Sequence, residues 1–200
     1  MRCIVCESFS FSHICSSCQN KFLSPKLHKR ELRGSDVYTF YNYEESKDFL
    51  LTKHSDLGFY IYHILAKNTF EVFAKEFSLQ SLDTKVASIA IDDMPKTGYS
   101  HTAILNKALK SNFIKPYVGK LHDKSGVNYS GKTRAYRELH PRRFEMQSFK
   151  ETQVILVDDI ITTGITFEAA IKTMQEHNKE VLFCLALADA AIKNTKGKDV

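Results

Sequence analysis

Two groups of residues in this chain combine side-chain type and spacing in a way that could do chemistry. The first is Val154-Ile155-Leu156-Val157-Asp158-Asp159-Ile160-Ile161-Thr162-Thr163-Gly164-Ile165-Thr166. An apolar run leads into two adjacent carboxylates, and a Thr-rich turn with one glycine follows, opening an amphipathic segment from Phe167 to His177. Carboxylates accept hydrogen bonds from sugar hydroxyls or hold a divalent cation. Threonine hydroxyls, the N–H groups around a glycine and a helix N-terminus together cradle a phosphate. A carboxylate pair beside such a cradle suits a ribose 5-phosphate. The plainer alternative is a core strand with a capped helix behind it. Two adjacent acids and the Thr/Gly turn exceed what capping needs.

The second group is Cys3-x-x-Cys6 and Cys15-x-x-Cys18, separated by eight residues, which places four of the five cysteines in the first eighteen positions. Two such knuckles supply the four thiolates of a closed, structural, tetrahedral Zn²⁺ site. The segment is too short to build its own core, so the metal would supply its folding energy. His13 is a competing ligand, although the four cysteines already complete the set. Disulfides or a redox pair are the alternative, and paired knuckles in a chain read as cytosolic argue against them. Cys184, inside Val181-Leu-Phe-Cys-Leu-Ala-Leu187, reads as an inert core thiol.

A third pattern competes with the first. Gly126-Val-Asn-Tyr-Ser-Gly131-Lys132-Thr133 satisfies G-x-x-x-x-G-K-[ST], and Ile155 to Asp159 could pass as the acidic strand that holds its metal. A P-loop ATPase is the resulting alternative. A P-loop follows a buried strand directly, whereas Lys120 to Ser125 is polar. It also opens a long helix, whereas Pro141 leaves room for only two turns.

The elements that must position these groups follow from periodicity. Val37–Tyr43, Val86–Asp92, Phe113–Leu121, Arg143–Met146 and Glu180–Leu187 read as strands, together with the signature run itself. Glu45–His54, Leu57–Phe77, Ser100–Leu109, Thr133–Leu139 and the segment after Gly164 read as helical. The aromatic stripe of Leu57–Phe77 suits a core better than a base-stacking platform. Residues 122–131 read as a polar, mobile loop, and 193–200 as a fraying end. Strands alternating with helices predict an α/β fold with a parallel sheet flanked by helices. The division expected is a zinc knuckle and basic linker over 1–36 and the α/β domain over 37–200.

Composition bounds the rest. Two hundred residues with 43% apolar content suffice for one α/β domain and a small appendage. No apolar run is long enough to span a membrane, and the N-terminus lacks a signal-peptide core, so a soluble cytoplasmic protein is expected. Net charge is +5, and its distribution is uneven. Lys115, Lys120, Lys124, Lys132, Arg134, Arg137, Arg142 and Arg143 lie close in sequence against only Asp123 and Glu138, and Lys26–Arg33 carries four bases against Glu31. Such clusters suit a polyanion, either a diphosphate or a nucleic acid.

The stretch Val154–Thr166 resembles the signature of the type I phosphoribosyltransferases, which bind phosphoribosyl pyrophosphate (PRPP). Joined to the CxxC/CxxC knuckle, it resembles the ComF family of ComFC-like competence proteins over essentially the whole chain. Gly98 and Tyr99 fit that family's first phosphate loop, where Lys96 remains as the base and Asp92 and Asp93 are additions. Arg137 and Phe144 fit its hood, with His140 where an Asn is usual. The resemblance implies that Asp158 and Asp159, with Ile160 beside them, face the ribose hydroxyls, and that Thr162, Thr163, Gly164, Ile165 and Thr166 hold the 5′-phosphate. Lys96, Arg134 and Arg137 would bind PRPP, and Asp158, Asp159 and Lys132 would carry any catalysis. Mg²⁺ would accompany PRPP.

It further implies handling of single-stranded DNA during natural transformation, beside the inner-membrane DNA-uptake machinery. The eight basic residues above would contact DNA, with Tyr99, Tyr129 or Tyr136 as stacking partners. A P-loop-type ATPase assisting DNA import and a nucleobase phosphoribosyltransferase of salvage are the alternatives.

Overall fold

The computed structural model describes residues 1–78, 85–91, 98–126, 133–140 and 142–192, without the side chains of Arg134, Arg137 and Glu138. Lys96, Tyr129, Lys132 and most of the Gly126–Thr133 pattern lie outside the described residues.

The chain opens with the knuckle and its helix, α1 (Ser16–Phe22). Strands β1 (His28–Leu32) and β2 (Ser35–Asn42) pair antiparallel around Arg33-Gly34. Both turn residues have positive φ, 48° and 81°, as a two-residue hairpin of the twisted kind requires. Residues 28–32 read as linker in the sequence because His-Lys-Arg-Glu-Leu shows no apolar alternation. It is an edge strand, where charge is common. Asn42 then caps α2 (Tyr43–Leu50), its side chain accepting from the Glu44 amide at 2.9 Å. A 3₁₀ turn (Leu51–His54) leads to α3 (Asp56–Asn68) and α4 (Phe70–Phe77). The single helix expected over Leu57–Phe77 is therefore two. The break is Thr69, at φ −123° and ψ −77°, whose buried hydroxyl donates to the Leu65 carbonyl at 2.6 Å.

β3 (Val86–Ala90), α5 (His101–Ala108) and β4 (Ile114–Tyr117) follow. β5 (Leu121–Asp123), α6 (Arg134–Leu139) and β6 (Phe144–Met146) make a small excursion in which β5 and β6 pair antiparallel. β7 (Gln153–Ile161), α7 (Ile165–Glu176) and β8 (Glu180–Asp189) complete the domain.

The main sheet runs β1-β2-β8-β7-β3-β4, parallel everywhere except at the β1–β2 hairpin. This is the mostly parallel α/β architecture expected from the alternation of elements. Side chains alternate across β7: Ile155 and Val157 enter one core, Val154 and Leu156 the other. The first core lies under α3, α4 and α5 and includes Ile61, Leu65, Phe70 and Leu105. Tyr38, Phe40, Phe70, Phe73, Phe77 and Phe183 contact one another ring to ring there, so the aromatic stripe is core from Tyr62 onward, whereas Phe59 and Tyr60 are exposed. The second core lies under α7 and the β5–β6 hairpin and includes Phe167, Ala170, Met174 and Leu121.

This topology decides where a ligand can sit. From β3 the chain crosses by α5 to β4 on one side; from β7 it crosses by α7 to β8 on the other. The two helices lie on opposite faces of the sheet. The winding therefore reverses between β3 and β7. Such a reversal opens a crevice at the C-terminal ends of the two strands.

Candidate functional site

Asp158 and Asp159 stand at that crevice, at the C-terminal end of β7. Four consecutive buried residues, Val154 to Val157, fix the strand that carries them. Beyond it, Gly164 takes φ 88° and precedes the first turn of α7. A side chain there would be strained by the backbone. It would also collide with Leu32, because an added Cβ would lie 2.6 Å from the Leu32 Cδ1. The turn Thr162–Gly164 thus brings the N-terminus of a twelve-residue helix close behind the acids. Thr162 is exposed, and Thr163, Ile165 and Thr166 are half-buried around it.

The two acids have different surroundings. Asp159 is 6% exposed. Its Oδ2 accepts from the Lys53 ammonium at 2.6 Å, faces the His101 Nε2 at 3.3 Å, and accepts from the Tyr62 hydroxyl at 3.5 Å. Its Oδ1 accepts from the Ile160 amide at 2.8 Å. Burial alone would raise this carboxyl, but Lys53 and His101 outweigh it and hold Asp159 well below the usual carboxylate range. Burial pulls the Lys53 ammonium down, and the Asp159 charge more than offsets it, leaving Lys53 raised. Asp158 is half-buried, and its Oδ1 accepts from the Asp159 amide at 2.8 Å. Burial and the neighbouring Asp159 charge push its carboxyl well above the usual range, against a weaker pull from the Arg142 guanidinium.

Sequence reasoning missed Lys53, Tyr62 and His101. Lys53 lies 106 positions from its partner in an unremarkable polar turn, so no local pattern marks it. It also missed Arg30, which donates to the buried Asp189 at 3.0 Å and to the Thr162 carbonyl at 3.2 Å, tying the edge hairpin to the Thr-rich turn.

Three of the eight bases expected to meet DNA pair with acids. Lys115 pairs with Glu151 at 3.5 Å, Lys124 with Glu145 at 3.1 Å, and Arg142 with Asp123 at 3.5 Å. Lys120 donates to the Ser148 carbonyl at 2.9 Å and lies over the Tyr117 ring. Arg143 is exposed beside β6. Tyr99 donates to the Lys53 and Ser55 carbonyls at 3.0 and 3.3 Å, and Tyr136 stacks on His140.

At the other end of the chain, the sulfurs of Cys3, Cys6, Cys15 and Cys18 lie within 4.8 Å of one another. Cys15 is the N-cap of α1, and Cys18 lies in its first turn. The Cys15 amide donates to the Cys3 sulfur at 3.3 Å and pulls that thiol down to about 6, whereas burial pushes Cys18 up to about 12. His13 stacks on Tyr60 at 4.2 Å and packs the knuckle against α3. Cys184 is fully buried in β8, as a core thiol should be.

A family profile described as PRTase-CE, a phosphoribosyltransferase family, matches residues 29–198. The chain belongs to the PRTase-CE family. It is thereby of the phosphoribosyltransferase kind. Among solved structures, an adenine phosphoribosyltransferase is similar at 17% identity over 86% of this chain and 88% of that one, with a TM-score of 0.43. A hypoxanthine phosphoribosyltransferase from Staphylococcus aureus is similar at 14% identity over 67% and 71%, with a TM-score of 0.43. One from Trypanosoma cruzi is similar at 17% identity over 69% and 70%, with a TM-score of 0.42. Among curated proteins none matches.

Proposed function

We propose that the protein binds PRPP, or a closely related ribose 5-phosphate ester, at the C-terminal ends of β3 and β7. The observation that carries this reading is the placement of Asp158 and Asp159 at the winding reversal, seven and six residues before Ile165, the first residue of the next helix. The acidic end of β7 meets the ribose hydroxyls, and the turn from Thr162 to Thr166 receives the 5′-phosphate. Lys96, Lys132, Arg134 and Arg137 would serve the diphosphate.

For transfer, the acids stabilise positive charge developing at C1′ and the bases stabilise the departing diphosphate. The donor set suits Mg²⁺, because a half-buried carboxylate at a crevice mouth is a hard oxygen ligand. When bound with PRPP, Mg²⁺ would neutralise diphosphate charge. The knuckle suits Zn²⁺. A tetrahedron with Zn–S bonds of about 2.3 Å has sulfurs about 3.8 Å apart, and Cys6 and Cys15 are 3.7 Å apart. We take the chain as a zinc knuckle followed by the phosphoribosyltransferase domain, with the β1 edge strand belonging to the sheet.

A second reading, DNA handling of the ComF type at the cytoplasmic face of the inner membrane, is favoured by one observation: a four-cysteine knuckle is packed directly on a phosphoribosyltransferase domain. No helix among the described residues is long and apolar enough to cross a membrane, so attachment there would need a partner.

Calorimetry on the zinc-loaded chain tests both. Mg²⁺-PRPP binds the wild type, and Asp158→Ala with Asp159→Ala abolishes binding at unchanged zinc content. Retained affinity would sink the ribose-site assignment. In the same series a single-stranded oligonucleotide binds with an affinity that falls as salt rises; no binding, or salt-independent binding, removes the DNA reading. ATP hydrolysis that disappears in Lys132→Ala would favour the P-loop instead.

A further inference from the structure

Adjacent residues of an extended strand point to opposite faces of the sheet. In β7 this alternation is explicit from Val154 to Val157, whose side chains enter the two cores in turn. Carried on by two residues, it sends Asp158 toward the face of α7 and the β5–β6 pair, and Asp159 toward the face of α3 and α5; it ends there, since Ile160 packs on the first core and Ile161 on the second. The partners agree. Asp158 feels Arg142, next to β6, whereas Asp159 is held by Lys53, Tyr62 and His101, all from the opposite face. The helix that receives the phosphate, α7, lies on the Asp158 side.

Both oxygens of Asp159 are already taken by protein donors. The cation that takes Oδ2 is itself fixed. The Tyr99 hydroxyl donates to the carbonyls of Lys53 and Ser55, the Ser55 hydroxyl donates to the Thr52 carbonyl at 2.8 Å, and the Thr52 hydroxyl donates to the Phe49 carbonyl at 2.6 Å. Gly58 leaves no room for a side chain between Thr52 and Tyr99. The side chains of Lys53 and Asp159 are 18% and 9% exposed, so the pair is poorly screened.

Resting on the ribose-phosphate reading, we propose that the two acids divide the work. Asp158 is the carboxylate that meets the ribose, and Asp159 is an internal anchor. Its charge is committed to Lys53 and His101, which act as positioning residues. Lys53 keeps the Asp159 charge off the phosphate crevice, and its turn reports on the loop before α5 through Tyr99. The pair is thus one ligand acceptor and one neutralised support.

The test is a set of affinities for Mg²⁺-PRPP, measured by calorimetry on zinc-loaded protein. Asp158→Asn weakens binding about 30-fold, the loss of one charged hydrogen bond, with no fall in thermal stability. Lys53→Met weakens it about 10-fold, because a carboxylate stripped of its nearest cation is left beside the crevice. Lys53→Met with Asp159→Asn removes both charges and returns affinity to within about 3-fold of wild type, a non-additivity that a residue acting only on stability would not produce. Should the single Lys53 variant fail to fold, the charge-balanced double variant set against Asp158→Asn carries the comparison. A double variant that binds as weakly as Asp158→Asn shows Asp159 on the ribose and overturns the division of roles alone. Absence of binding by the wild type removes the ribose-phosphate reading and this inference together.

Discussion

The crevice at the ends of β3 and β7 and the cysteine knuckle each gather four or more reactive side chains, by opposite means. In the crevice the groups come from β7, the 3₁₀ turn, α3 and α5, and Lys53 and Asp159 are 106 positions apart. A buried parallel sheet holds them, and their charges are balanced by one another. In the knuckle the four sulfurs lie within sixteen positions and are held by a short turn and one helix start. Their nearest donors are backbone amides and hydroxyls, and burial works against ionising Cys18. One site is complete in its own charges, and the other leaves its thiols to be balanced by a bound cation. The two should therefore fail in different ways.

Removing the metal should give the largest difference. Chelation, or Cys6→Ser with Cys15→Ser, empties the knuckle of zinc. Cys3, Ile14, Cys18 and Leu23 share a buried cluster with Ile61 and Tyr62, so the loss reaches α3. We expect the melting temperature to fall by about 10 °C or more, given the folding energy that structural zinc supplies. PRPP affinity should change by less than about 3-fold, because the crevice keeps its own counter-ions. Zinc content, melting and calorimetry on one sample check this. A melting temperature unmoved by chelation would mean that the four sulfurs are not a metal site.

The crevice should break through its backbone. Gly164→Ala puts a Cβ where φ is 88° and where Leu32 already sits. The strained backbone alone costs about 2 kcal/mol, equivalent to about 5 °C for a chain of this size. Affinity for PRPP should fall about 10-fold as the turn shifts away from the phosphate. Adding Leu32→Ala relieves the collision but not the φ, so part of the stability and little of the affinity returns. Full recovery would show that Gly164 is required only for packing. Zinc content stays constant throughout, which separates this failure from the first.

These contrasts also explain what could be read from the sequence. The β7 run, the acids and the glycine after them are local and constrained, and they stand in the structure as a strand, a strand end and a positive-φ helix cap. The cysteine spacing is equally local. The helix break at Thr69 depends on one hydroxyl, and the β1 strand has no apolar pattern because it is an edge. Lys53 and Arg30 find their partners only through the folded sheet, from 106 and 159 positions away. The basic stretch Lys115–Arg143 does not show the acids that meet Lys115 and Lys124, because Glu151 and Glu145 lie just past its end.

The smallest expected effect separates the two acids by pH. Asp159 is depressed in the folded state, so it contributes stability that is complete above the ordinary carboxylate range, near pH 4, and is lost as pH falls below it. Asp158 is raised, so the folded state holds its proton more tightly than the unfolded chain, and stability falls as pH climbs above that range. Asp158→Asn should therefore raise the melting temperature by about 2 °C at pH 7 and leave it unchanged near pH 3. Asp159→Asn should do the reverse, lowering stability at pH 7 and flattening the acid limb. In wild-type protein, PRPP binding should strengthen with pH as Asp158 ionises to accept the ribose hydroxyls, with proton release visible as a buffer-dependent calorimetric enthalpy. Identical pH profiles for the two Asn variants would mean that the acids share one environment, and the contrast drawn from Lys53 would not hold.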